Sequence, residues 1–292
     1  MTGYGLAAAT VRFGDVLALD RVSMDVTAGE VVAVVGGDGA GKTTLLRALV
    51  GLVALADGTV RRPDAADVGY LPATAGSWLE LTVGENLDFV GSIFGLRGQG
   101  LADRSEELAA AAGLSAATDR LSRDLSGGMR RKLGFSLALM HAPPLLVLDE
   151  PSTGVDPVSR VDLWRLVSRS AAAGAAVVMS TTYLDEAERA NRLVVLDRGR
   201  VLVTGAPAAI VADFDGAVTA TARPVRPQWA WRRGRGYHEV WPADATPAGA
   251  GQAGDAPTPK AEPVTPDLED VVIAMSLRSR AAAAAVAATG AA

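Results

Sequence analysis

The chain has 292 residues, enough for one large domain or two modest ones. Its formal net charge of −5 argues against a general nucleic-acid binder, and with no cysteine it has no disulfide staples, thiolate metal sites or cysteine nucleophiles. Apolar residues make up 49% of it, the excess lying in Ala and Val, yet no stretch approaches the roughly 20 uninterrupted apolar residues of a membrane-spanning helix. The Ala-rich stretch 281–287 is too short, and no basic segment leads into an apolar one at the start. The expectation is a chain that stays in the cytoplasm, any membrane role coming through a partner. Basic residues are nearly all Arg; Lys occurs only at Lys42, Lys132 and Lys260, which makes the place of Lys42 informative.

In chain order, the first region, to about residue 212, alternates short β-rich runs with helical stretches. Glu30-Val31-Val32-Ala33-Val34-Val35-Gly36 reads as a buried strand entering a glycine turn, and residues 43–50 carry apolar side chains at helical spacing. Between about 76 and 140, helical segments broken by glycines suggest an inserted helical subdomain. Leu145-Leu146-Val147-Leu148 and Ala175-Ala176-Val177-Val178-Met179 have the length of strands buried on both faces, as in a sheet sandwiched by helices. Residues 194–203 read as a closing hairpin around Asp197-Arg198-Gly199-Arg200. The fold class expected is α/β.

Residues 213–241 form a small accessory region in which Trp229, Trp231, Tyr237 and Trp241 cluster with Arg232, Arg233 and Arg235. That mixture packs a small β subdomain; contact with single-stranded RNA is the alternative. Residues 242–266, rich in Pro, Ala, Gly and Thr, read as a flexible linker. A C-terminal helix over 267–280 follows, with Thr265 as N-cap, Pro266 at its first position, and Asp267, Glu269 and Asp270 in its first turn. Residues 281–292 read as a frayed tail.

Three motifs carry chemistry. Gly36-Gly37-Asp38-Gly39-Ala40-Gly41-Lys42-Thr43-Thr44 fits the phosphate-loop pattern. Its glycines let backbone N–H groups point inward at phosphates, Lys42 would reach the β- and γ-phosphates of ATP, and the Thr43 hydroxyl would bind Mg²⁺. The following helix aims its positive end at the same anion. Leu145-Leu146-Val147-Leu148-Asp149-Glu150 then places two carboxylates at the end of a buried strand, Asp149 to hold Mg²⁺ and Glu150 to polarise the attacking water. Between them, Leu125-Ser126-Gly127-Gly128-Met129 precedes a helix from Arg130 to about Met140, a second anion site with exposed N–H groups and a hydroxyl. One phosphate needs one cradle, so a second suggests ATP bound between two chains.

On these segments the chain resembles the ATP-binding cassette family over most of its first 210 residues. The run 125–129 matches the family's signature, Phe13 the adenine-stacking aromatic, Thr153-Gly154-Val155-Asp156 the D-loop, and 69–72, 81–83 and 85–87 the surroundings of the Q-loop. The run 125–157 resembles drug- and multidrug-type exporter ATPases, which drive separate membrane subunits. The resemblance implies two cassettes meeting head to tail on the cytoplasmic face of the membrane. Each ATP then lies between one chain's phosphate loop and the other's signature. The partners implied are an integral membrane permease and a second ATP-binding chain, identical or not, and no nucleic acid.

Two positions depart from the family. Where it has Gln after Tyr70-Leu71-Pro72, this chain has Ala73, and where it has His after Ser180-Thr181, this chain has Thr182. Thr182 keeps a hydroxyl for a phosphate but supplies no cationic donor, and the two histidines, His141 and His238, lie elsewhere. The expectation is MgATP binding with slow hydrolysis, and a signature able to complete a partner's site. The competing expectations are a non-catalytic regulatory ATP-binding module and a soluble cassette ATPase outside transport.

Overall fold

The computed structural model of the chain describes residues 3–74, 76–242 and 261–289. Two units divide the chain, Met1–Val201 and Leu202–Ala292. The boundary falls before the expected one at 212; helix α7 (Pro207–Ala212) packs against the C-terminal helix α8 (Leu268–Thr289) within the second unit.

The first unit opens with β1 (Tyr4–Phe13), β2 (Val16–Val26) and, further on, β4 (Asp57–Arg61), an antiparallel sheet in the order β2-β1-β4. Leu6, Val11, Leu19 and Val22 turn inward onto a shared core, the alternation being broken by register shifts between Leu6 and Arg12. Between β2 and β4 come β3 (Val31–Val35), buried throughout, and α1 (Lys42–Val50). A run with no polar face can sit only inside a parallel sheet covered on both sides. The six-stranded sheet runs β5 (Val68–Leu71), β6 (Leu145–Leu148), β7 (Ala176–Thr181), β3, β8 (Arg192–Asp197), β9 (Arg200–Gly205). Its registers Leu71↔Leu148, Leu148↔Met179 and Val35↔Thr181 bring four parallel strand ends to one edge.

Between β5 and β6 lie α2 (Val83–Ile93), α3 (Gly98–Ala111) and α4 (Gly127–Leu139). The start of α2 explains the Leu81-Thr82-Val83 and Glu85-Asn86-Leu87 pattern physically. Thr82 and Glu85 form a capping box. The fully buried Asn86 side chain donates to the carbonyls of Trp78, Leu81 and Thr82 and accepts from Trp78 N–H. After β6, α5 (Pro157–Ala172) and the short α6 (Leu184–Ala187) flank β7.

In the second unit, β10 (Ala217–Thr221), β11 (Ala230–Arg233), β12 (Gly236–Trp241) and β13 (Glu262–Val264) form a sheet in the order β11-β12-β10-β13. The aromatic-basic cluster pairs internally. Arg226 stacks 3.7 Å from the Trp241 centroid, Arg232 lies over Tyr237, and Trp241 Nε1 donates to Thr219.

Three expectations need correcting here. Residues 262–264, read as linker, pair with β10, Val264 opposite Val218; linker residues 243–260 lie outside the described residues. α8 starts at Leu268, not at Pro266. Asp267 accepts from Asp270 N–H at 2.9 Å while Asp270 accepts from Asp267 N–H at 3.2 Å, a reciprocal cap that Thr265 does not offer. The helix also continues past 280 to Thr289, since the residues at 281–285 are all Ala, the strongest helix former; 290–292 lie outside the described residues.

Candidate functional site

The strand-end edge of the six-stranded sheet gathers the predicted motifs. Gly36 follows β3, Pro72 and Ala73 follow β5, Asp149 and Glu150 follow β6, and Thr182 follows β7. The carboxyl ends of parallel strands are where α/β sheets bind ligands.

The loop 36–41 wraps back over the start of α1. A Cβ on Gly36 would lie 2.4 Å from the Leu196 carbonyl oxygen, and Gly41 sits at φ +107 with the Ala18 carbonyl 2.9 Å from its Cβ position. Only glycine lets this loop pass so close to β2 and β8. Asp38, Gly39, Ala40, Gly41, Lys42, Thr43 and Thr44 line a cavity of about 520 Å³ together with Val16, Glu150 and Arg198. The buried Lys42 ammonium donates to the carbonyls of Gly36 (2.9 Å) and Gly37 (3.2 Å) and lies 3.7 Å from Glu150 Oε1.

Asp149 is fully buried. Its Oδ1 accepts from Thr43 Oγ1 (3.2 Å) and Ser180 Oγ (2.7 Å), while Oδ2 has no hydrogen-bond partner. A buried carboxylate oxygen left unpaired is costly unless something comes to it. Glu150 sits at φ +49, a strained conformation for a residue with a side chain, held by its N–H on Ser180 Oγ (2.9 Å) and by Thr153 Oγ1 on its Oε2 (3.1 Å). Among the described residues there is no cluster of three or more His, Cys, Asp or Glu side chains able to hold a metal alone. A divalent ion here would have to share its shell among one carboxylate, a hydroxyl, waters and phosphate oxygens, the habit of Mg²⁺.

The other predicted residues fall around this cavity without lining it. Ser126 caps α4 by accepting from Met129 N–H (3.2 Å), and Gly127 and Gly128 form the first helical turn instead of preceding it. A Cβ on Gly128 would lie 3.6 Å from Asp156 Oδ2, so segments 125–129 and 153–156 are neighbours. Leu125 is buried. Asp156 caps α5 through Val158 and Ser159 N–H, and the Ser159 hydrogen bonds hold its carboxyl below the usual carboxylate range. Phe13 ends β1 opposite Val16 and is 52% exposed, and Ala73 and Thr182 are exposed. His141, expected as a polar helix-end residue, stacks on Phe94 at 3.8 Å, and burial lowers its pKa.

Sequence reasoning missed Ser180 as an Asp149 partner, and Arg131 altogether. Arg131 is 5% exposed and donates into the loops after β5 and β6, and burial lowers its pKa. Its signal in the sequence, one basic residue in Arg130-Arg131-Lys132, is indistinguishable from a solvated helix face.

A glycine loop joining a buried parallel strand to a helix, with a buried aspartate hydrogen-bonded to the helix's threonine, defines a phosphate-loop NTPase. The model of the ABC transporter family matches residues 19–153. Nod factor export ATP-binding protein I of Cupriavidus metallidurans is 38% identical over 206 residues, 67% of this chain and 68% of the relative. "Probable multidrug ABC transporter ATP-binding protein YbhF" of Escherichia coli is 38% identical over 199 residues, 65% of this chain but 34% of that protein. A solved structure of the ATP-binding subunit of an ABC transporter superposes with a TM-score of 0.67 at 28% identity, covering 73% of this chain and 93% of its own. The cassette MJ0796, in a dimeric post-hydrolysis state bound to ADP and Pi, shares the fold with a TM-score of 0.64 at 22% identity, covering 70% of this chain and 98% of its own. The chain belongs to the ATP-binding proteins of the ABC transporter family, and its activity is that of an ABC ATPase.

Proposed function

We propose that the chain is the ATP-hydrolysing subunit of an exporter, working on a separate integral membrane permease and turning over slowly at its own site. The observation that carries this reading is the unpaired Asp149 Oδ2 beside Thr43, Lys42 and Glu150, with Ala73 and Thr182 at the two positions where the family keeps Gln and His.

Lys42 exchanges the Gly36 and Gly37 carbonyls for the β- and γ-phosphates, releasing Glu150 from the pair with its ammonium. Thr43 and Asp149 would hold Mg²⁺, which when bound would supply charge neutralisation to the phosphates. Glu150 then orients and polarises the attacking water, its carboxylate kept in place by Thr153. Phe13 stacks on the adenine, Asp38, Gly39, Ala40, Gly41 and Thr44 supply the cradle, and Thr182 offers one hydroxyl to the γ-phosphate. Two preorganised contacts are missing, and each such contact is typically worth on the order of 10²–10³ in rate.

Partners follow from two features. Residues 125–129 lie outside the nucleotide cavity of their own chain, which supports their completing the site of a second ATP-binding chain, identical or not. On the helical subdomain, Trp78, Phe89 and Ile93 are exposed, and Trp78 packs edge-on to Phe89 at 4.8 Å. An exposed apolar face of this kind suits a docking partner. Among the described residues no helix is long and apolar enough to cross a membrane. In this reading the membrane component is a separate permease, and the chain works peripherally on the cytoplasmic face. The exporter direction is supported by the relative named as a Nod factor export ATP-binding protein.

The test is Glu150→Gln. ATP binding, followed with a fluorescent analogue, should stay within about threefold of native, while hydrolysis falls on the order of 10²-fold or more. Equal, measurable hydrolysis in the two proteins would remove Glu150 from the chemistry, and hydrolysis at background in both would favour a regulatory ATP-binding module.

A further inference from the structure

Arg131 is buried, and all the hydrogen bonds recorded for its guanidinium go to main-chain carbonyl oxygens, none to a carboxylate. Its Nη1 donates to Pro72 (2.8 Å), Ala73 (3.0 Å) and Thr74 (3.1 Å). On the other side, Nη2 donates to Asp149 and to Glu150 (2.6 Å), and Nε to Pro151 (3.1 Å). Burying a guanidinium with no carboxylate hydrogen-bonded to it is costly, the nearby charges of Asp149 and Glu150 offset that desolvation only in part, and apolar packing serves a passive core position better. The carbonyls it gathers belong to two loops only, the one holding Ala73 and the one holding the carboxylates of the nucleotide site.

The remaining end of the link is the helix that bears Arg131. It lies on α4 shortly after Ser126, Gly127, Gly128 and Met129, and Ser126 caps that helix. A guanidinium is a planar fork of five donors with fixed geometry. Shifting either loop while keeping these bonds therefore shifts the first turns of α4. The link uses the carbonyl of residue 73, not its side chain, so it survives the replacement of Gln by Ala.

The geometry points to Arg131 as a positioning residue that ties the chain's own nucleotide site to the orientation of its 125–129 segment, the segment offered to the second ATP. This deepens the ATPase reading and rests on it. Filling the site moves the Asp149-Glu150 carbonyls, Arg131 follows, and α4 is reoriented before any partner arrives.

Amide hydrogen exchange tests this on the full chain, at a concentration where it is monomeric, with and without a non-hydrolysable Mg–ATP analogue. In the native chain the nucleotide should alter exchange in both 37–44 and 127–133. In Arg131→Lys, which keeps the charge but not the fork, the response of 37–44 should persist, nucleotide affinity should stay within about twofold, and the response of 127–133 should fall by at least half. Turnover should drop about tenfold or more at unchanged KM. A native chain in which 37–44 responds and 127–133 does not overturns the inference without any variant, as does an Arg131→Lys protein whose α4 responds in full. A fall in affinity, turnover and Tm together would mark Arg131 as merely structural and also overturn it. A native chain in which neither segment responds would instead sink the ATPase reading.

Discussion

Gly36 shows how a single residue decides whether the phosphate loop forms. Its Cβ position lies 2.4 Å from a main-chain oxygen of Leu196 at the end of β8, and a backbone atom there has no rotamer to yield. Gly36→Ala should therefore push the loop off β8, lowering stability by about 1–3 kcal/mol in urea denaturation and weakening nucleotide binding at the same time. Unchanged stability would mean that the loop has slack the geometry does not provide. Glu150 is the complementary case: a residue with a side chain at φ +49, tolerated because Ser180 and Thr153 pin both its ends.

Elements are joined by charge as well as by core. Arg192, at the start of β8, donates to Asp25 Oδ1 (3.0 Å) near the end of β2 and to Glu30 Oε1 (2.8 Å) before β3, bracing the antiparallel sheet against the six-stranded one. The hydrogen bond from Arg192 holds the Asp25 carboxyl below the usual carboxylate range. A carboxyl whose folded pKa is depressed stabilises the fold above its unfolded value, about 3.9, and loses that contribution as pH falls through the folded value. Asp25→Asn should thus lower the urea midpoint by a constant amount from about pH 5 to pH 8, and the gap to native should close below about pH 4. The pair is half exposed, so the gap is small. A gap that persists undiminished in acid would assign the effect to packing.

How much of this was readable depends on whether a signal is local. β3, α1 and β6 are legible because each is an apolar run ending in residues with one use, the glycine loop or the paired carboxylates. The start of α8 misled because Thr265-Pro266 satisfies the cap rules, but the Asp267–Asp270 pair satisfies them reciprocally. Arg131 was invisible for a different reason. Loops 72–74 and 149–151 are far apart in sequence, and only the β5–β6 pairing sets them around one guanidinium.

At the scale of the whole molecule, the site is a complete phosphate loop and carboxylate pair whose two flanking positions have been emptied of their usual groups. Ala73 follows β5 and Thr182 follows β7, on either side of the strand that carries Asp149. The chain should bind ATP well and turn it over poorly, and its 125–129 segment should serve a better-equipped partner site. Steady-state ATP hydrolysis by the purified chain, beside the double variant Ala73→Gln/Thr182→His, tests this most directly. The account predicts slow turnover by the native chain and a variant at least about tenfold faster. A native chain as fast as an ordinary cassette, with the variant no faster, would contradict it.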